Sequence, residues 1–84
     1  MGHWEKKEQF RYTAFLERFS GQFKDRRRTK IFTTMAKFIP TRSHNQCRSH
    51  HQKMLKGLNS ISEYIRFFYR KYPAFEKKKE SYQE

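Results

Sequence analysis

The stretch from Arg42 to Lys56, RSHNQCRSHHQKMLK, decides the fold that we expect for this chain. Ser43 is followed three residues later by Gln46, which is the spacing of a capping box, where each side chain hydrogen-bonds a backbone N–H in the first turn of a helix. A narrow, mostly apolar stripe follows at helical spacing and consists of Cys47, His51, Met54, Leu55 and Leu58. The stretch therefore predicts an amphipathic helix with one face for a core.

The other side of this predicted helix is polar and contains no acidic residue. Its members are Asn45, Arg48, Ser49, Gln52, Lys53 and Lys56. Each can donate a hydrogen bond or carries a positive charge, and Arg, Asn and Gln are the side chains that pair bidentately with base edges in the major groove. Such a face suits the floor of a DNA groove.

Positive charge dominates the composition, with 20 Lys and Arg residues against eight Asp and Glu residues and a net charge of +12. The excess is concentrated between Ser20 and Lys56, where Asp25 is the single acidic residue. A field of this kind attracts a polyanion, most simply nucleic acid, through phosphate contacts and counterion release. The alternative is a solvated basic surface that serves solubility.

Length and composition predict one small domain with an aromatic core. Nine Phe, five Tyr and one Trp in 84 residues are far more than a disordered chain needs. The single cysteine excludes an internal disulfide framework and is typical of a reducing compartment. We expect no membrane span and no secretion signal. The predicted domain covers residues 1–75, and residues 76–84 form a charged, flexible tail.

Two further helices are predicted before the Arg42–Lys56 stretch. The first runs from Trp4 to the Ser20-Gly21 stop, and its apolar stripe is Tyr12, Phe15, Leu16 and Phe19. The second runs from Lys30 to Ile39, with Thr29 as its N-cap, and its stripe is Phe32, Met35, Ala36 and Ile39. Pro40 ends it, and so short a turn before the next helix is the layout of a helix-turn-helix.

The connector from Gln22 to Lys30 is polar and carries the cluster Arg26-Arg27-Arg28. We favour a phosphate contact for this cluster, because basic loops add affinity without reading sequence. The alternative is a solvated loop.

A fourth helix is predicted after Ser60, which forms a second capping box with Glu63. Its apolar stripe ends before Pro73 and consists of Ile61, Tyr64, Ile65, Phe68 and Tyr72, while Phe67 and Tyr69 widen it. One interpretation is a core helix that covers the other three. The other is a partner-docking surface formed by Tyr64, Phe67, Phe68 and Tyr69.

Part of the chain resembles a known family. The segments concerned are Phe32-x-x-Met35-Ala36-x-x-Ile39, Pro40-Thr41-Arg42-Ser43 and Gln46-Cys47-Arg48-Ser49-His50-His51. They resemble the second and third helices of a Myb/SANT repeat, and Trp4 with Glu8 is similar to the start of its first helix. Phe32 and His51 stand where the family usually has tryptophan, the first connector is longer, and the fourth helix lies outside the repeat.

The resemblance implies a homeodomain-like three-helix bundle whose third helix enters the major groove. It places base reading on Asn45, Arg48, Ser49 and Gln52. The contacts to DNA phosphates would then come from Arg26, Arg27, Arg28, Lys30, Arg42, Lys53 and Lys56.

Two other kinds of chemistry are less favoured. His44, Cys47 and His51 share one helical face and could hold zinc, but no fourth ligand is evident. Cys47 beside a histidine could act as a nucleophile, but a helix face offers no pocket. No phosphate loop or dinucleotide motif is present in the sequence. We predict a non-catalytic protein without metal, cofactor or small-molecule substrate.

The sequence thus predicts an all-α, nuclear protein that binds double-stranded DNA, as a homodimer or as the accessory subunit of a larger assembly. In size and character it resembles the homeobox-like accessory subunits of DNA N6-adenine methyltransferase complexes. The competing hypothesis is a SANT-type chromatin interaction module that uses the aromatic fourth helix. RNA binding is less favoured, because no aromatic residues are interleaved with the basic residues of the third helix.

Overall fold

In this computed structural model, residues 3–25, 30–56 and 60–78 are described, and they form five α-helices with no strand. In chain order these are α1 (Lys6–Phe19), α2 (Ile31–Phe38), α3 (His44–Met54), α4 (Ile61–Lys71) and α5 (Pro73–Lys78), with a 3-10 helix at Ser20–Asp25. The predicted all-α class is confirmed. Within these ranges, no helix has the length and apolar content that crossing a membrane requires.

Helix α1 begins at Lys6, two residues later than predicted, because the backbone N–H of Glu5 donates to Glu8 Oε1 at 2.9 Å and caps the first turn. Trp4 precedes the helix and is buried, while Tyr12, Phe15 and Leu16 are fully buried as the apolar stripe predicted. Helix α1 ends at Phe19, with Ser20 as its C-cap, as the Ser20-Gly21 signal predicted, and a 3-10 helix that was not predicted follows at Ser20–Asp25.

Helix α2 begins at Ile31, and Lys30 rather than the predicted Thr29 occupies its N-cap position. Lys30 has φ 51°, a left-handed conformation that is uncommon for a residue with a side chain. Met35 and Ile39 are fully buried as predicted, whereas Phe32 and Ala36 are only half-buried. Ile31, which the predicted stripe did not include, is buried.

The turn into α3 has the predicted capping box. The backbone N–H of Gln46 donates to Ser43 Oγ at 3.2 Å, and the N–H of Ser43 donates to Gln46 Oε1 at 2.8 Å. Cys47 and His51 are buried as predicted. His50 is buried as well, which the apolar stripe did not include. Leu58 lies outside the described residues.

Helix α4 begins at the predicted cap, where Ser60 Oγ accepts a hydrogen bond from the Glu63 backbone N–H at 3.1 Å. The short helix α5 was not predicted; it begins at Pro73, whose missing N–H costs nothing at a helix start. Phe75 of α5 stacks on Phe10 of α1, with 4.7 Å between ring centroids. The first three residues of the predicted tail are therefore helical, and residues 79–84 lie outside the described part of the chain.

Helix α1 lies at the centre of the arrangement and contacts both α2 and α4, while α2 packs along α3 and α5 packs on α4. A single hydrophobic core joins residues from Trp4 to Tyr69. Because the apolar side of α3 faces this core, its polar side remains at the surface.

Candidate nucleic-acid interface

The polar face of α3 is exposed in full. The exposed residues are the four predicted base-reading residues and two predicted phosphate contacts: Asn45, Arg48, Ser49, Gln52, Lys53 and Lys56. By helical spacing, they lie on the side of the helix opposite Cys47 and His51, which are buried. Five of these side chains thus share one surface of α3, and Lys56 is exposed in the turn that follows the helix.

This surface is backed by a hydrogen bond between α1 and α3. The Tyr12 hydroxyl lies 2.8 Å from His51 Nδ1 in the buried core. The His51 ring also stacks on the Phe23 ring, with 4.7 Å between the two centroids. Burial raises the pKa of Tyr12, so its hydroxyl stays protonated. His51 therefore fills its core position as a hydrogen-bonded ring.

A second ring contact fixes the segment before α1 against α3. Trp4 and His50 stack with 3.7 Å between centroids and 7° between planes. Burial lowers the pKa of His50 to about 4, so the ring is neutral at pH 7. Its Nε2 atom has no hydrogen-bond partner among the described residues. Tyr12 lies edge-on to the same ring, at 4.8 Å between centroids.

The turn before α3 is held by an ion pair between Arg42 and Glu8. Arg42 Nε and Nη2 donate to the two carboxylate oxygens at 2.8 and 2.9 Å, and both side chains are only 12% exposed. Thr41 Oγ1 also donates to Glu8, and Arg42 Nη2 donates to the His3 carbonyl. These donors lower the pKa of Glu8 to about 2, the Arg42 hydrogen bond being the largest cause.

The role predicted for Arg42, a contact to a DNA phosphate, stays a prediction, and the structure adds a second role. The Arg42 guanidinium is bound to Glu8 and lies 4.9 Å from the centre of the Trp4 ring. Arg42 thus ties the turn between α2 and α3 to α1.

A groove lies on each side of the α3 face. One is lined by Lys30, the N-cap of α2, and Thr33 of α2, together with His44, Arg48 and Gln52 from α3. The other lies between α3 and the segment before α1, and its lining includes Trp4, Asn45, Ser49 and Lys53. Lys30, a predicted phosphate contact, is thus brought to the edge of the predicted base-reading face. Arg26, Arg27 and Arg28 lie outside the described residues.

The predicted partner-docking cluster on α4 is wrong for three of its four residues. Tyr64, Phe68 and Tyr69 are buried, because α4 uses them to pack on α1. The Tyr69 hydroxyl also donates to Glu17 Oε1 at 3.0 Å. Phe67 alone of the four is exposed.

The residues considered for zinc do not converge. His44 is exposed, whereas Cys47 and His51 are buried, and no group of three His, Cys, Asp or Glu side chains in the described ranges is placed to hold a metal ion. Burial raises the pKa of Cys47 to about 11, so the sulfur is a thiol at neutral pH and a poor nucleophile.

Sequence reasoning missed several residues that shape this site. His50 lies outside the Cys47–His51 stripe, and nothing in the local pattern marked it as buried. Phe23 had a signal, since it is the only apolar residue in the Gln22–Lys30 connector. Glu8 was noted as an acidic residue near Trp4, but its partner Arg42 was assigned elsewhere.

Comparisons of the chain with known protein families, with curated proteins and with solved structures found no match.

Proposed function

We propose that this chain binds double-stranded DNA by placing the exposed face of α3 in the major groove, in the manner of a homeodomain-like module. One observation carries the proposal: Asn45, Arg48 and Gln52 share an exposed helical face with two lysines, and the chain has no acidic residue between Asp25 and Glu63. These side chains can read base edges, and the lysines can bind the flanking phosphates.

The fixed position of α3 favours this function. A recognition helix reads bases only if its backbone is held in one place, because base-edge hydrogen bonds require defined distances. The hydrogen bond from Tyr12, the stack on Trp4 and the Glu8–Arg42 ion pair all act on α3 or on the turn before it. The grooves beside α3 carry Lys30 on one side and Lys53 on the other, where the two phosphate backbones would lie.

We further propose that the protein acts in the nucleus as the DNA-binding accessory subunit of a larger complex. A role in DNA adenine methylation rests on the sequence resemblance alone. The competing hypothesis of a SANT-type interaction module loses most of its aromatic surface, because Tyr64, Phe68 and Tyr69 belong to the core.

Binding to a fluorescein-labelled 20-base-pair duplex, measured by anisotropy across a salt series, tests the proposal. We expect affinity to fall steeply with salt, with a log–log slope of about −0.9 for each phosphate contact. The double variant K53A/K56A should make that slope shallower by roughly two, whereas K37A on α2 serves as a matched lysine control. Absence of duplex binding at low salt, or tighter binding to an RNA duplex of the same sequence, would refute it.

A further inference from the structure

The outer side of α4 carries an exposed aromatic ring that the core does not use. Phe67 is 52% exposed, and it is the one large hydrophobic residue exposed in the described part of the chain. Its neighbours Phe68 and Tyr69 are buried, so α4 already packs on α1 without it. The Phe67 ring is therefore accessible to a partner.

Cationic side chains surround this ring. Arg66, Arg70 and Lys71 are all exposed, and the spacings Arg66–Arg70 and Phe67–Lys71 place the four residues in two adjacent rows along the helix. Arg66 and Arg70 also line a groove together with Ile65, Tyr69, Glu17 and Glu76. Phe67 does not line this groove, so the surface around the ring consists of Phe67 with the exposed cations Arg66, Arg70 and Lys71.

This surface is separate from the α3 face. The Tyr12 ring lies between the two helices, with its centroid 5.5 Å from that of Tyr64 on α4 and 4.8 Å from that of His50 on α3. The outer sides of α3 and α4 consequently point away from the shared core in different directions.

We propose that the α4 outer face, formed by Arg66, Phe67, Arg70 and Lys71, docks an acidic protein segment that lays an apolar side chain on the Phe67 ring. Aromatic and arginine side chains dominate the energetically important centres of protein interfaces, and carboxylates pair bidentately with arginine. A nucleic acid fits less well, because single strands bind to successive stacked aromatic rings and this face offers one. The proposal deepens the accessory-subunit part of the proposed function and rests on it, but it does not require α3 to contact DNA.

The probe is a fluorescein-labelled 16-residue peptide designed as an amphipathic helix. Leucines spaced alternately three and four residues apart form its apolar side, and its polar residues are glutamates. Two control peptides replace either every leucine by alanine or every glutamate by glutamine. We expect the full-length protein to bind the acidic leucine peptide at least ten-fold more tightly than either control. The variant F67A should weaken binding about ten-fold, and R66E/R70E should abolish it.

Variants on α3 and binding to duplex DNA separate this proposal from the proposed function. K53E/K56E should weaken duplex binding while leaving the peptide affinity within two-fold. F67A should weaken peptide binding while leaving the duplex affinity within two-fold. Circular dichroism of F67A is expected to match the parent, because the ring is exposed. The proposal is overturned if no acidic peptide binds, if F67A leaves peptide affinity unchanged, or if R66E/R70E reduces duplex or single-strand DNA binding instead. The last result would make α4 a second nucleic-acid surface.

Discussion

The Tyr12 hydroxyl and His51 Nδ1 lie 2.8 Å apart inside the core, and this contact joins two residues that are 39 positions apart in the chain. It allows a polar ring to occupy the core side of α3, because the buried nitrogen has a partner. The orientation of α3, and hence of its exposed face, depends on it.

Replacing Tyr12 by phenylalanine should destabilise the protein by about 1 to 3 kcal/mol, because the buried His51 nitrogen loses that partner. Urea unfolding followed by circular dichroism measures the change. The double variant Y12F/H51F should recover part of the loss, since both polar groups are then removed. Equal stability of Y12F and the parent would show that the hydrogen bond does not form.

Breaking the Glu8–Arg42 pair should cost about 1 to 3 kcal/mol in the free energy of unfolding, because two little-exposed charges lose their shared hydrogen bonds. R42A and E8Q, with the double variant, form a double-mutant cycle that isolates the pairwise energy. Lys37 on the surface of α2 provides the control, and K37A should change stability by less than about 0.5 kcal/mol. If R42A instead alters only duplex affinity, Arg42 is a phosphate contact after all.

Acid should destabilise the fold in two steps. The pKa of His50 is about 4 in the folded protein against an ordinary value of 6.5, so the unfolded chain binds its proton more readily and stability falls as the pH drops from 6.5 to 4. The loss is roughly 2 to 3 kcal/mol. Glu8, with its pKa lowered to about 2 from 4.5, adds a second loss as the pH drops below 4.5.

Urea unfolding at a series of pH values checks this. H50F keeps an aromatic ring on Trp4 but removes the titrating group, so the first step should shrink while the second remains. H44Q, which changes an exposed histidine on the same helix, should retain both steps. A first step that is unchanged in H50F would assign it to another group.

Phe67 and Phe68 are neighbours in sequence with opposite environments, which makes them a matched pair. F68A should cost about 3 to 5 kcal/mol, because it leaves a cavity in the core. F67A should change stability by less than about 0.5 kcal/mol. Thermal unfolding of both variants measures the difference, and similar losses would contradict the orientation of α4.

Base reading and phosphate binding can be distinguished on α3. R48A should weaken binding to a preferred duplex by about 1 to 3 kcal/mol and relax base preference at one position. K53A should weaken binding to all sequences to a similar extent. Competition among randomised duplexes measures both effects, and identical profiles would mean that Arg48 does not read a base.

The sequence by itself determined the four main helices and the members of the polar α3 face. The capping box at Ser43 and the apolar periodicity within α1 and α3 are local signals, because they depend on residues three or four positions apart. Helix α5 was not predicted, because a segment of six residues is too short to show a helical repeat of apolar residues. The helix also packs against α4, and a local pattern does not reveal that contact.

At some positions the local pattern allowed a side chain to lie either in the core or at the surface. Only the tertiary structure decided between the two at these positions. Arg42 pairs with Glu8 across 34 positions, and Tyr69 reaches Glu17 across 52. The pattern on α4 placed Phe68 in the apolar stripe but gave Phe67 and Tyr69 the same standing beside it, and the structure buries Tyr69 and exposes Phe67. Such contacts depend on how helices dock rather than on how each one forms, and a helical period carries no information about the partner that will cover it.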